Sequence, residues 1–142
     1  MEDKINFLVD TNIWLERLLD QEKSNDVKVF LEKVPSERLF ISDFTLHSIG
    51  IIMAKLERFK DYYKFIDDLF VNANITQIGL NPIDTDEVIK NIERLKLDFD
   101  DSYQYSISQK FDLEIVSFDK DFEKAGLNTI EPAEAIKLIE RG

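Results

Sequence analysis

The sequence predicts an α/β fold: a parallel sheet covered by helices on both faces. Three observations carry that expectation. The stretch Lys4–Asn12 packs Ile5, Phe7, Leu8 and Val9 into a short run that stops on Asp10, the pattern of a strand buried on both faces. Short apolar runs of this kind then alternate with stretches of helical spacing to the end of the chain, as parallel strands with helical crossovers require. The composition, 44% hydrophobic and 11% aromatic with four Gly and three Pro, suits a packed core and not a disordered chain. At 142 residues the chain has room for a single domain spanning 1–142, able to bury roughly two-thirds of its unfolded surface.

The first strand ends at Val9, and Thr11-Asn12 turn the chain into a helix that runs to Leu19 with Ile13, Trp14, Leu15, Leu18 and Leu19 as its apolar residues. Gln21 to Asp26 is polar and reads as a loop, and Val27, Phe30, Leu31 and Val34 mark a second helix that Pro35-Ser36 ends. Leu39-Phe40-Ile41 is the second strand. Ser42-Asp43 then caps a long helix whose buried side is Phe44, Ile49, Ile51, Ile52, Leu56 and Phe59. Asp61 restarts a helix through Phe70, Ile75 to Leu80 is the third strand, and Asn81-Pro82 closes it. Helices follow over Thr85–Leu95 and Asp100–Lys110, then a strand over Leu113–Ser117, a helical turn over Asp119–Lys124, a fifth strand over Asn128–Ile130 and a last helix near Pro132.

Cysteine is absent, which excludes disulfides and thiolate chemistry. The chain opens without a basic-then-apolar leader, and no apolar run approaches the roughly 20 residues of a membrane helix. The cytoplasm is the expected location. The net charge of −11 argues against loose nucleic-acid binding, which rests on a basic face. Clustered carboxylates that hold divalent cations would invert that field locally.

Asp10, Asp101 and Asp119 all fall where a strand ends or a helix begins. Asp10 follows the first strand and Asp119 the fourth, so the two occupy the same edge of the sheet, where open α/β folds place ligands. A helix cap is the competing role for Asp10. Carboxylates held within a few ångströms of one another need cations to offset their repulsion. With oxygen ligands, no Cys and one His, Mg²⁺ or Mn²⁺ fits and zinc does not.

Val-Asp-Thr-Asn after the first strand, Asp-Ser-Tyr-Gln-Tyr opening a helix, and Val-Ser-Phe-Asp-Lys-Asp-Phe after the next strand together resemble the PIN domain, the fold of the VapC toxin ribonucleases. The likeness covers nearly the whole chain. It implies a three-layer sandwich with a five-stranded parallel sheet in order 3-2-1-4-5, and a metal-dependent endoribonuclease that pairs with an antitoxin and forms a homodimer. It also implies that Asp10, Asp101 and Asp119 are the acidic ligands, with Asp121 as an occasional additional acid and Asn12 and Ser117 steadying them; Asp100 is adjacent to the matching position. For Asp121, a solvated carboxylate in the first turn of a helix is the alternative.

The sequence departs from the family at Ser48, where the resemblance places Glu. At about 100° per residue, Asp43 lies about 140° and His47 about 100° around the helix axis from Ser48, so neither replaces that acid easily. His47, the only histidine, reads as a packing residue before a catalytic one. Lys55, Arg58, Lys60 and Lys64 interleave with Phe59, Tyr62 and Tyr63. Phosphate contacts with base stacking would use such a segment, but Glu57 and Asp61 intervene and favour a solvated helix face. A haloacid-dehalogenase-type phosphatase needs an Asp where Asn12 stands, and a response-regulator receiver needs an Asp after the third strand, where Ile78-Gly79-Leu80-Asn81 has none. The remaining alternative to a nuclease is a PIN fold that binds without cutting.

Overall fold

The computed structural model describes residues 4–141. Four short parallel strands, β1 (Phe7–Val9), β2 (Leu39–Ser42), β3 (Thr76–Ile78) and β4 (Glu114–Val116), form one sheet in the order β3-β2-β1-β4. Around it lie α1 (Thr11–Leu18), α2 (Ser24–Lys33), α3 (Asp43–Lys55), α4 (Phe59–Asp67), α5 (Thr85–Leu95), α6 (Phe99–Phe111), α7 (Asp121–Lys124) and α8 (Pro132–Arg141).

The alternation of β1 sorts the core into two layers. Phe7 and Val9 point to one face, where they meet Ile13 and Trp14 of α1, Val27 and Phe30 of α2, Ile49 and Met53 of α3, Phe65 of α4 and Ala135 of α8. Leu8 points to the other face and packs with Ile107 of α6, Ile115 of β4 and Phe122 of α7. All three β1 side chains are fully buried, which is what a central strand with helices on both faces demands. β3, with Thr76 and Gln77 exposed, is an edge.

The expected fifth strand is reduced to one parallel bridge, Val116 to Ile130. Ser117 N–H donates to Ile130 O at 2.9 Å and Ile130 N–H to Ile115 O at 3.0 Å. The ladder then stops because Glu131 leads into α8 at Pro132, a residue with no N–H to donate. The sheet is therefore four-stranded, in order 3-2-1-4.

Other differences lie at element ends. α2 begins at Ser24, inside the expected loop, because Arg17 Nη1 donates to Ser24 Oγ at 3.1 Å and Glu16 accepts from the Lys23 N–H at 2.6 Å. Its first turn is polar, so the periodic signal is silent until Val27. α3 stops at Lys55, short of the expected Phe59, where Glu57 turns left-handed (φ 55°) and Arg58 N–H closes back on Met53 O. The third strand is shorter than its apolar run, and a π-turn over Asp68–Asn72 extends α4 beyond Phe70. Among the described residues no helix is long and apolar enough to cross a membrane.

Candidate functional site

Pairing of β1 with β4 brings two distant segments to one edge. Val9 stands opposite Val116 in the register, and the Asp10 N–H donates to Val116 O at 3.0 Å, so the residues following each strand emerge side by side. Asp10 caps α1, accepting from Thr11 N–H at 2.9 Å, as its local sequence suggests. A cap alone would not draw partners from elsewhere in the chain. Ser117 Oγ donates to Asp10 Oδ2 at 2.7 Å and Gln104 Nε2 to Asp10 Oδ1 at 3.0 Å, with Asn12 Nδ2 at 3.4 Å from Oδ2.

Asn12 and Ser117 also shape the loop after β4. Asn12 Nδ2 donates to Ser117 Oγ at 3.0 Å, and its Oδ1 accepts from the Phe118 N–H at 3.0 Å. Ser117 Oγ accepts from the Asp119 N–H at 3.0 Å, and Asp119 Oδ1 accepts from the Asp121 N–H at 2.9 Å. The turn that aims Asp119 and Asp121 is thus tied to the carboxylate after β1.

α6 brings in the third acid. Asp98 caps this helix by accepting from Asp101 N–H at 3.0 Å, which sets Asp101 in its first turn. Asp101, Asp119 and Asp121 each present a carboxylate oxygen within 4.8 Å of the others. Asp10, Asp100, Asp101, Asp119, Asn12 and Ser48 line one crevice of about 280 Å³ with Thr11, Phe44 and Gln104. His47 is exposed and outside that lining.

Burial and, behind it, mutual repulsion raise the proton affinity of Asp101 and Asp10. Partial burial, then the charges of Asp119, Asp98, Asp10 and Asp121, push Asp101 up to about 7 from the usual 3.8. Burial also raises Asp10, against the opposing hydrogen bonds from Gln104, Ser117 and Thr11, and the Asp119 charge adds to the rise. Both rises come from burying and crowding carboxylates, and a divalent cation held among them would offset that cost. The donor set of Asp101, Asp119 and Asp121, with no nitrogen or sulfur, fits a hard divalent ion of the Mg²⁺ or Mn²⁺ type. Asp121 thus belongs to the cluster even though it is exposed and pairs with Lys124 at 3.6 Å.

Sequence reasoning missed Gln104, Ser42 and Thr45, which close the crevice from behind. Ser42 Oγ donates to Gln104 Oε1 at 2.6 Å, Gln104 Nε2 donates to Thr45 Oγ1 at 3.1 Å, and Thr45 Oγ1 shares a 2.8 Å bond with Thr11 Oγ1. A signal was present: α6 buries Ser102, Gln104, Ser106 and Ser108 with a single fully buried apolar residue, Ile107. A helix with so polar a buried face must be answered by partners.

The basic and aromatic segment lies elsewhere. Arg58 pairs with Asp61 at 2.7 Å and Lys64 with Asp68 at 2.7 Å, while Tyr62 donates to Leu46 O. Two of its rings are not buried: Phe59 is 65% and Tyr63 74% exposed.

A PIN domain family model matches residues 7–127. No curated protein matches the chain in sequence. Among solved structures, the chain is similar to the sarcin-ricin loop cleaving toxin VapC20 of Mycobacterium tuberculosis, with a TM-score of 0.74 at 14% identity over 89% of this chain and 100% of that one. A toxin-antitoxin complex from Klebsiella pneumoniae gives 0.67 at 20% identity over 82% and 90% of the two chains. FitAcB from Neisseria gonorrhoeae gives 0.67 at 18% over 89% and 98%. At these identities the likeness is one of fold.

Proposed function

The chain belongs to the PIN domain family, and from that premise we propose that it is a metal-dependent endoribonuclease, a VapC-like toxin of a toxin-antitoxin pair, that hydrolyses RNA phosphodiesters. The observation that carries the reading is the convergence of Asp101, Asp119 and Asp121 oxygens within 4.8 Å, the first two lining a crevice shared with Asp10. Asp10, Asp101 and Asp119 are the proposed catalytic acids and cation ligands, Asp121 adds a further oxygen, and Asn12 and Ser117 hold the set in place.

Each residue has a role its geometry supports. Asp101, Asp119 and Asp121 supply anionic oxygens from α6 and from the loop after β4. Ser117 holds Asp10 Oδ2 and the Asp119 N–H with one hydroxyl, so a single side chain ties Asp10 to the backbone of Asp119. When bound, Mg²⁺ or Mn²⁺ would acidify the attacking water and stabilise the leaving 3′ oxygen. The sequence's overall acidity then favours substrates only where cations offset it, which separates this site from a general nucleic-acid surface.

The direct test is RNA cleavage by the purified chain with Mg²⁺ or Mn²⁺, followed by analysis of the ends. A 5′ phosphate and a 3′ hydroxyl are expected. Cutting that survives excess chelator, or 2′,3′-cyclic ends, contradicts the reading. A second reading, a PIN fold that binds but does not cut, is favoured by one observation: Ser48 lines the crevice with a hydroxyl where the family resemblance implies Glu. Metal binding without cleavage of any RNA would select it.

For partners, a protein antitoxin and a second copy of the chain are proposed, and a cytoplasmic location goes with an RNA substrate. The exposed apolar side chains Ile51, Leu56, Phe59 and Tyr63, clustered in sequence at the end of α3 and along α4, support a protein-binding surface there.

A further inference from the structure

Gln104 is 1% exposed, and every polar atom of its side chain is used. Its orientation follows from its partners. Ser42 Oγ already accepts from the Thr45 N–H at 3.0 Å, so its own proton is free to donate, and it lies 2.6 Å from Oε1. An ionised Asp10 can only accept. The amide therefore has one arrangement, with Oε1 toward Ser42 and Nε2 toward Asp10 and Thr45; turned over, it would set acceptor against acceptor at Asp10.

Counting lone pairs on Asp10 shows what that arrangement does. Oδ1 accepts from Thr11 N–H at 2.9 Å and from Gln104 Nε2 at 3.0 Å, which fills it. Oδ2 accepts from Ser117 Oγ at 2.7 Å and only weakly from Asn12 Nδ2 at 3.4 Å, so it is the less fully engaged of the two oxygens. None of the ion pairs among the described residues includes Asp10.

We infer that Gln104 is a positioning residue of the acidic site: clamped by Ser42 and Thr45, it occupies Asp10 Oδ1 and fixes the plane of that carboxylate, leaving Oδ2 as the oxygen with which Asp10 engages a divalent cation. This rests on the proposed metal site and specifies how that site is held. The side-chain hydrogen bonds of Gln104 go to Ser42, Asp10 and Thr45 and to none of Asp101, Asp119 and Asp121; it acts through Asp10. It also ties α6 to the start of α3, so the two helices that flank the crevice are braced by the same amide.

The test uses the full chain, stripped of metal, with Mn²⁺ alone as probe. Gln104→Met keeps the length and removes both donors. Outer partners of metal ligands cost 10–100-fold in affinity when lost, so a Kd for Mn²⁺ weaker by about that factor is expected by calorimetry. In an Asp10→Asn background the same substitution should add less than about threefold, because the residue acts through Asp10. Unchanged affinity in Gln104→Met, or a full and independent loss in the double variant, overturns the inference and leaves Gln104 a structural brace.

Should Gln104→Met fail to fold, the unmodified chain still decides by NMR. On Mg²⁺ titration, the Gln104 side-chain amide signals should move with the same midpoint as the Asp101 and Asp119 carboxyl signals. If those carboxyls move and the Gln104 amide stays still, this inference alone falls. If none of them moves, the metal reading falls and the inference with it.

Discussion

Ser117 Oγ donates to Asp10 Oδ2 at 2.7 Å, joining the ends of β1 and β4 across 107 positions of sequence. The bond is made to a carboxylate that is 6% exposed. A hydrogen bond to a charged group contributes about 1.5–3 kcal/mol when one partner is removed. Ser117→Ala is expected to lower unfolding stability by about that amount at pH 8, read from urea melts. The loss should shrink in acid, where Asp10 takes up a proton. A loss below about 0.5 kcal/mol at pH 8 would mean that solvent replaces the hydroxyl and that the site is wetter than its burial implies.

Asp101 sets a pH dependence whose sign is the reverse of the usual carboxylate. Partial burial, with the charges of its neighbours, holds it at about 7 in the folded chain against 3.8 when free, so the folded state binds the proton more tightly than the unfolded state. Its favourable contribution is complete below 3.8 and is lost as pH rises toward about 7. Metal-free protein should therefore lose stability across that window, and Asp101→Asn should flatten the loss. Asp101 is partly exposed, and solvent screening limits the gain in the variant at pH 8 to about 1 kcal/mol. Thermal melts of both proteins between pH 4 and pH 8, in chelator, decide it. Identical slopes would show that Asp101 is not held above its free value in the folded chain.

Phe122 is fully buried against the Leu8 side of the sheet and sits directly after Asp121. α7 has only four residues, too few to hold a helix by backbone bonds alone. The ring is the anchor of the segment that carries Asp121. Phe122→Ala should cost about 3–5 kcal/mol by leaving a cavity, measured in urea, and should weaken divalent binding more than a comparable cavity remote from the site, such as Phe30→Ala. Equal effects on binding from the two cavities would show that α7 keeps its place without the ring.

What was legible in the sequence was whatever hydrophobic pattern and chain order express. β1 announces itself by Phe7-Leu8-Val9, and the edge position of Asp10 and Asp119 follows from strand ends alone. The fifth strand misled because Asn128-Thr129-Ile130 has strand-forming character, while the limit on its ladder comes from Pro132 and the turn into α8. α2 starts early through side-chain bonds from Arg17 and Glu16 that no periodicity encodes. Gln104 was hidden for a related reason: its partners Ser42, Thr45 and Asp10 are brought together only by the sheet. Polar networks are tertiary facts, and the sequence shows them chiefly as apolar residues missing where a helix is buried.

Ser48 offers the sharpest separation of nuclease from binding module. It lies on α3 and lines the crevice with Asp10, Asp101 and Asp119, so Ser48→Glu would add a negative charge to an already repulsive group. In chelator the variant should melt lower than the parent, by about 1 kcal/mol, because a further carboxylate joins a site with no counter-charge. With Mg²⁺ the order should reverse, since the attraction of one added charge for the cation is large at short range in a low effective dielectric. An affinity gain of about tenfold corresponds to about 1.4 kcal/mol, enough to outweigh the metal-free penalty at saturating cation. The opposite signs in the two conditions are the expected signature, and a rise in RNA cleavage in the same variant would mark a catalytic ligand restored. If the variant melts like the parent in both conditions and binds Mg²⁺ no more tightly, position 48 is not a ligand position. The hydroxyl there would then be no obstacle to activity in the parent chain.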